Sequence, residues 1–365
     1  MSLPNSFSRY QDELEAELRA VVGGGSSPLY AMMRYHLGWI DEHGQNRRSS
    51  GKMSRPSLCL LACEAVGGDW HSALPAAAAI ELIHNFSLIH DDIQDRSWER
   101  RNRPAVWKLW GEAQGINAGD AMYALAQLAL LKLEEKGTPP EKVILLSKRL
   151  AQASIELCEG QYLDIAYEDR LDVGTEHYLD MIDKKTAHLF EASLCFGALL
   201  GTDNHAQVSA LGSFGRNLGM AFQVYNDLQG IWGEGKRTKK SPYTDVRNKK
   251  KTLPIIYALQ EANGEERERL VELYGKTRVP AKDVPLVLRI LGTTGARGYA
   301  EKFKEQYHLQ ALKDLARAEV PPSYQQELRE VAAFLLREDL SMKTINRKKR
   351  LGGNEPGKEK GTIWK

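Results

Sequence analysis

The chain has 365 residues, 42% hydrophobic and 27% charged, with a formal net charge of +2, which suits one large globular domain and excludes a strongly charged nucleic-acid binder. Four scattered cysteines, Cys59, Cys63, Cys158 and Cys195, exclude a disulfide scaffold and read as reduced packing residues of a cytoplasmic protein. The polar start, Met1 to Leu18, lacks a secretory core, and no apolar run is expected to reach the ~18 residues of a membrane span.

Residues 1–22 read as a lead-in helix with Tyr10, Leu14 and Leu18 on one stripe, broken by Gly23-Gly24-Gly25-Ser26-Ser27-Pro28. A helical stretch over 29–43 follows, then a polar loop. Pro56 opens the next helix at a first-turn position, where its missing N–H does no harm. A buried helix is predicted from Leu74 to Gln94, and Arg96 to Pro104 is a basic loop. Further helices are predicted over 117–136, 141–166, 175–200 and 205–234. Beyond a basic loop, Arg237 to Lys251, come 252–262, 265–275, 281–294, 296–317 and 321–339. Period-2 alternation is nearly absent, so residues 1–342 form one all-α domain. The tail, 343–365, carries eight Lys/Arg against Glu355 and Glu359 and is expected to be disordered.

The central helix ends in Asp91-Asp92-Ile93-Gln94-Asp95. Residues four apart share a helix face, so Asp91 and Asp95 point the same way, with His84 near that stripe and Asp92 about 100° away. Two carboxylates at the end of an apolar helix repel each other, and a hard divalent cation with oxygen ligands is the natural compensation. A second stripe lies in Asn226-Asp227-Leu228-Gln229-Gly230 with Glu234, where Asn226 and Glu234 supply oxygen ligands and Gly230 leaves room for a water. Two such helices facing across a cavity could hold Mg²⁺, completed by substrate phosphates. Basic residues are interleaved with both stripes: Lys52, Arg55, Arg100, Arg101, Arg103, Lys185, Lys240, Arg247 and Lys250. Carboxylates for Mg²⁺ beside Arg and Lys for phosphate oxygens fit diphosphate chemistry.

These stretches resemble the trans-isoprenyl diphosphate synthases. The matching segments are Gly51-Lys52-x-x-Arg55-Pro56, His84 with Asp91-Asp92-x-x-Asp95, Arg100-Arg101, Asn117-Ala118-Gly119-Asp120, Gly160-Gln161-x-x-Asp164, Lys185-Thr186, Phe222-Gln223 and Lys250-Lys251-Thr252-Leu253-Pro254. The resemblance implies a single-domain isoprenoid synthase bundle around a central apolar cavity, usually dimeric, with three Mg²⁺ per active site. It assigns Asp91 and Asp95 to Mg²⁺ and Arg100, Lys185, Lys240 and Lys250 to an allylic diphosphate. Lys185 and Gln223 join the two aspartates as catalytic candidates. Lys52, Arg55, His84 and Arg101 match the family's pocket for isopentenyl diphosphate. Phe86, five residues before Asp91 and roughly 7 Å down the helix, resembles the arrangement that sets a C20 chain.

The sequence departs from the family at its second aspartate-rich motif, usually D-D-x-x-D. Here Asn226 and Gly230 replace the first and last carboxylates. What remains, through Glu234, resembles the metal stripe of class I terpene synthases. The leading expectation is therefore a Mg²⁺-dependent terpene synthase, a lyase that ionises a C20 allylic diphosphate to a diterpene hydrocarbon or alcohol. The alternatives are a chain-elongating prenyltransferase resembling geranylgeranyl diphosphate synthase, and a non-catalytic subunit of a heteromeric synthase.

Overall fold

Helical stripes and Gly/Pro breaks become helices and short turns in the computed structural model, which describes residues 5–47, 53–233 and 243–337. The lead-in segment is two helices, α1 (Asn5–Ser8) and α2 (Gln11–Val22). Helix α3 (Pro28–His36) starts where the Ser27 side chain accepts from the Leu29 N–H. It stops short of residue 43, because Gly38 turns the chain at φ +83° into a loop closed by an Ile40–Asn46 bridge. Helix α4 (Ser54–Ala65) leads to α5 (Leu74–Gln94), whose ends are those predicted. By length and composition the stretch Trp70–Gln94 could cross a membrane, contrary to expectation. Of its apolar window, 78% is buried inside the bundle, so the apolarity is that of a core helix.

The basic loop after α5 contains a small hairpin, β1 (Glu99–Arg100) paired antiparallel with β2 (Arg103–Pro104). Its two-residue turn places Arg101 at φ 55° and Asn102 at φ 60°. Asn tolerates this left-handed region. Helices α6 (Val106–Trp110), α7 (Glu112–Leu131) and α8 (Pro140–Tyr167) follow. The predicted single helix over 175–200 is divided. Between α9 (Thr175–Ile182) and α10 (His188–Gly201), residues Asp183–Ala187 form a π-turn that carries Lys185. Helix α11 (His205–Trp232) is the second pillar. A one-turn helix, α12 (Thr244–Arg247), lies within the predicted basic loop. The chain ends with α13 (Leu253–Glu261), α14 (Gly264–Tyr274), α15 (Val284–Thr293), α16 (Ala296–Arg317) and α17 (Pro322–Leu335).

Helix α5 packs chiefly on α7, and α11 on α10 and α16. Both pillars are thereby fixed along their length, and their ends flank one cavity. Large apolar side chains remain exposed on α7 and α8, among them Leu128 (60%), Ile155 (52%) and Tyr162 (70%).

Candidate active site

The cavity holds about 430 Å³, and Phe86, Asp91, Lys185, Gln223, Asn226 and Lys250 are among its lining residues. It is therefore large enough for a small-molecule ligand. Asp91 of α5 and Asn226 of α11 both line it. Phe86 stands edge-to-face against His90 and Tyr123, at 5.7 and 5.4 Å between ring centres, and closes part of the wall with aromatic surface. Glu234, Lys52, Lys240 and the tail 343–365 lie outside the described residues.

The three aspartates of α5 have different surroundings. Asp92 is buried, and Arg100 donates to it from Nε at 2.8 and 2.9 Å. The same guanidinium reaches Asp91 Oδ2 at 3.3 Å. Lys185 Nζ donates to Asp91 Oδ1 at 3.3 Å and to Asp164 Oδ2 at 2.5 Å. Side-chain cations thus already supply part of the compensation that the sequence reading assigned to metal, and Asp92 is not idle but anchors the hairpin. Burial works against ionisation at Asp164, yet Lys185 and Lys250 hold its carboxyl below the usual range. Burial also opposes the Lys185 ammonium, but Asp164 and Asp91 keep it above the ordinary lysine value. Lys250 is held up in the same way by Asp164, Asp245, Asp227 and Asp91.

Lys185 reaches this network because α8 comes very close to the π-turn. A Cβ at Gly160 would stand 2.2 Å from the Lys185 backbone N, so only glycine permits the approach. Asp164 is a site residue that the sequence reading quoted in a matching segment without a role; its position one turn after Gly160 was the available signal.

Asp95 is exposed, yet the surrounding protein and then the charge of Asp91 push its carboxyl up to about 6. A divalent cation would relieve that repulsion, and a pair of carboxylates is a hard-oxygen donor set suited to Mg²⁺. Among the described residues no three His, Cys, Asp or Glu side chains converge tightly enough to hold an ion unaided. Magnesium fits such a place when water and substrate phosphates complete its shell.

On α11, Asp227 is buried and fully engaged. Its carboxylate accepts from Tyr178 Oη at 2.5 Å, Gln223 Nε2 at 3.1 Å and the Leu253 N–H at 3.0 Å. Gln223 in turn accepts from Thr186 Oγ1 at 3.1 Å, so it ties α11 to the π-turn. Asn226 and Asp227 both line the cavity.

Beside the cavity lies a second cluster. Arg55 stacks over the Phe190 ring at 4.5 Å and donates from Nη1 to His84 Nε2 at 3.3 Å, while its buried Nε has no partner among the described residues. Arg101 reaches Asn85 Oδ1 at 3.5 Å. Burial pulls Arg55 down to about 10 against the charge of Glu81, and it lowers Arg101 likewise. Positive charge is therefore in excess here, and an anion would be stabilised by it.

Burial and the charges of Arg55 and Arg101 hold His84 well below the usual imidazole range. Burial, Arg101 and Arg100 do the same for His36. Both rings stay neutral in the fold and take a proton on unfolding. Their contribution to stability is present above the unfolded pKa of about 6.5 and is lost as pH falls below it, by about 1.4 kcal/mol per ring per pH unit. Urea unfolding between about pH 7.5 and 5 is expected to show that loss, and His84→Asn to remove one ring's share. The paired comparison is needed because Asp95 and Asp227, both raised to about 6, act in the opposite sense at lower pH. Identical pH profiles for the two proteins would exclude a neutral buried His84.

The polyprenyl synthetase family profile matches residues 39–291. The (2E,6E)-farnesyl diphosphate synthase of Mycobacterium bovis is 37% identical over 329 residues, covering 89% of this chain and 87% of that one. A polyprenyl synthetase from Streptomyces coelicolor superposes with a TM-score of 0.84 at 34% identity, covering 92% of this chain and 99% of that one. A geranylgeranyl pyrophosphate synthase from Corynebacterium glutamicum, solved with isoprenyl diphosphate and magnesium, superposes with a TM-score of 0.79 at 25% identity. It covers 93% of this chain and all of that one.

These relatives overturn the expectation of a terpene synthase, since they are named for making prenyl diphosphates. The physical reason is visible in both halves of the site. The cationic cluster that a lyase would not need is intact at Arg55, His84 and Arg101. The Asn226–Gly230 stripe is not an isolated metal stripe either, because the space beside Gly230 is taken by the Asp245 carboxylate.

Proposed function

The chain belongs to the polyprenyl synthetase family, and from that premise we propose that it is a chain-elongating trans-prenyltransferase that joins an allylic diphosphate to isopentenyl diphosphate. The observation that carries this reading is the second anion pocket. Arg55, with a buried unpartnered Nε, lies with His84 and Arg101 beside a cavity that already holds a separate diphosphate-binding set. An enzyme that only ionises one diphosphate has no use for a second cationic cluster.

In this reading Asp91, Asp95 and Asn226 would hold Mg²⁺, three ions in all. Bound there, Mg²⁺ would neutralise the diphosphate as it leaves. Arg100 and Lys185 bind its oxygens, exchanging their present carboxylate partners for phosphate as the substrate enters, and Lys250, which lines the cavity, joins them. The allylic C–O bond breaks with its electron pair going to diphosphate. Arg55, Arg101 and His84 orient isopentenyl diphosphate so that its double bond attacks the allylic carbon, and loss of a proton restores an alkene. Gln223 braces the π-turn under Lys185 and so acts as a positioning residue. Phe86, backed by Tyr123, limits the tail and favours a C20 product. The exposed apolar face of α7 and α8 fits a homodimer, and four free thiols suit a reducing cytoplasm.

Incubation with Mg²⁺, farnesyl diphosphate and labelled isopentenyl diphosphate is expected to yield labelled C20 diphosphate, and Phe86→Ala to yield longer chains. Absence of label in any prenyl diphosphate would sink the reading. Unchanged product length in Phe86→Ala would remove only the assignment of chain length.

A further inference from the structure

The π-turn that presents Lys185 is gripped from two sides. Its defining hydrogen bond runs from the His188 N–H to the Asp183 carbonyl, five residues back, so it holds one residue more than an α-turn. Such a turn gives up ordinary helical hydrogen bonds and persists where its neighbours hold it. On the α8 side, Lys184 Nζ pairs with Glu159 Oε2 at 2.9 Å, and a Cβ at Gly160 would stand 2.6 Å from the Lys185 Cα. On the α11 side three residues act together. Arg216 forks onto the Asp183 carboxylate, donating from Nε to Oδ1 at 2.8 Å and from Nη2 to Oδ2. Gly219 lets the end of the turn approach, since a Cβ there would stand 2.7 Å from the Ala187 Cα. Gln223 accepts from Thr186 Oγ1 at 3.1 Å.

Arg216, Gly219, Gln223 and Asn226 follow one another at spacings of three, four and three, which is one face of a helix. The first three hold the π-turn, and the fourth lines the cavity that Lys185 also lines. Return of the turn to α-helical register would rotate one flank against the other by about 100° and carry Lys185 away from Asp91 and Asp164. Gln223 secures the middle of the turn, whereas Arg216 secures its first residue, where the extra residue enters. Resting on the function proposed above, we infer that Arg216 is a positioning residue for chain elongation: through Asp183 it keeps the π-turn in register, so that Lys185 meets the allylic diphosphate. Arg216 lies outside the cavity lining, and its side chain is 46% exposed against 18% for Asp183, so replacing either leaves the core untouched. A planar guanidinium suits the task because it meets both carboxylate oxygens at once.

The test is calorimetric binding of inorganic diphosphate with Mg²⁺ to the full-length protein, with KM for each substrate measured alongside. Arg216→Ala and Asp183→Ala are each expected to weaken diphosphate binding by about 3–5-fold, the worth of a well-formed surface ion pair. KM for the allylic substrate should rise in step, with KM for isopentenyl diphosphate unchanged. The double variant is expected to be no worse than either single one, since both break the same contact. Arg216→Lys keeps the charge without the fork and is expected to recover only part of the loss. Asp183→Ala is the discriminating variant, because deleting a negative charge near an anion site would by charge alone tighten binding. Unchanged or tighter binding in folded Asp183→Ala overturns the inference. Additive losses in the double variant overturn it too, as do equal losses for both substrates, which would mark a merely structural contact. The outcome is separable from that of the functional reading. If the wild type incorporates no isopentenyl label while both variants lose diphosphate affinity, only the function fails. If it elongates and both variants bind diphosphate as the wild type does, only the positioning role fails.

Discussion

Asp91→Ala is expected to lower kcat/KM for chain elongation by about 10³-fold, roughly 4 kcal/mol of transition-state stabilisation. Asp91 is where the α5 aspartates meet the cations proposed to bind diphosphate: it accepts from Arg100 and Lys185, both at 3.3 Å, and lines the cavity. On the proposed reading its loss removes a metal ligand, and it also releases Lys185 to Asp164, the neighbour it already holds at 2.5 Å. The ammonium would then be less free to turn to a leaving diphosphate. Because Asp91 and Asp95 repel each other, little stability should be lost with the activity. Steady-state kinetics and a thermal melt on the same preparation check this. A variant within tenfold of wild type would remove Asp91 from the metal site.

Arg101→Met and Arg55→Met are expected to raise KM for isopentenyl diphosphate by about 30–150-fold, the worth of about 2–3 kcal/mol for a charge-assisted hydrogen bond. KM for the allylic substrate should change little. The selectivity follows from geometry: Arg100 turns toward Asp92 and Asp91, whereas Arg101, the next residue, turns toward Asn85. The side chains diverge at the hairpin turn, so on the proposed reading one short loop serves two anion pockets. Lysine at position 55 should not rescue, because the site uses a flat guanidinium stacked on Phe190. Measuring both KM values separates the pockets. Equal losses for both substrates would mean that the two clusters act as one.

The same pair of pockets explains why the motif along α11 misled. Read as a string, Asn226 to Gly230 has lost two carboxylates and looks like the stripe of a lyase. In space, Asp245 lies against Gly230, and the Arg55–His84–Arg101 cluster is preserved. Nothing in the local pattern around Asp245 marks it, since a single aspartate in a basic loop is an ordinary surface residue. The division of 175–200 by a π-turn was hidden for a similar reason. Both halves have helical periodicity, and only the close approach at Gly160 shows why Lys185 must stand where it does.

The all-α fold and the limits of α5 were legible in the chain before folding. These follow from helical periodicity and from Gly and Pro breaks, interactions within a few residues of chain. The sequence also placed Arg55, His84 and Arg101 in one set through their likeness to a family. Which carboxylates are already engaged was settled by long-range packing: Asp92 by Arg100, Asp164 by Lys185 and Asp227 by Tyr178. That packing alone brought Asp245 to Gly230. Whether a buried charge is satisfied depends on partners far along the chain, and close approach depends on two backbones meeting, so neither is written in the spacing of one helix.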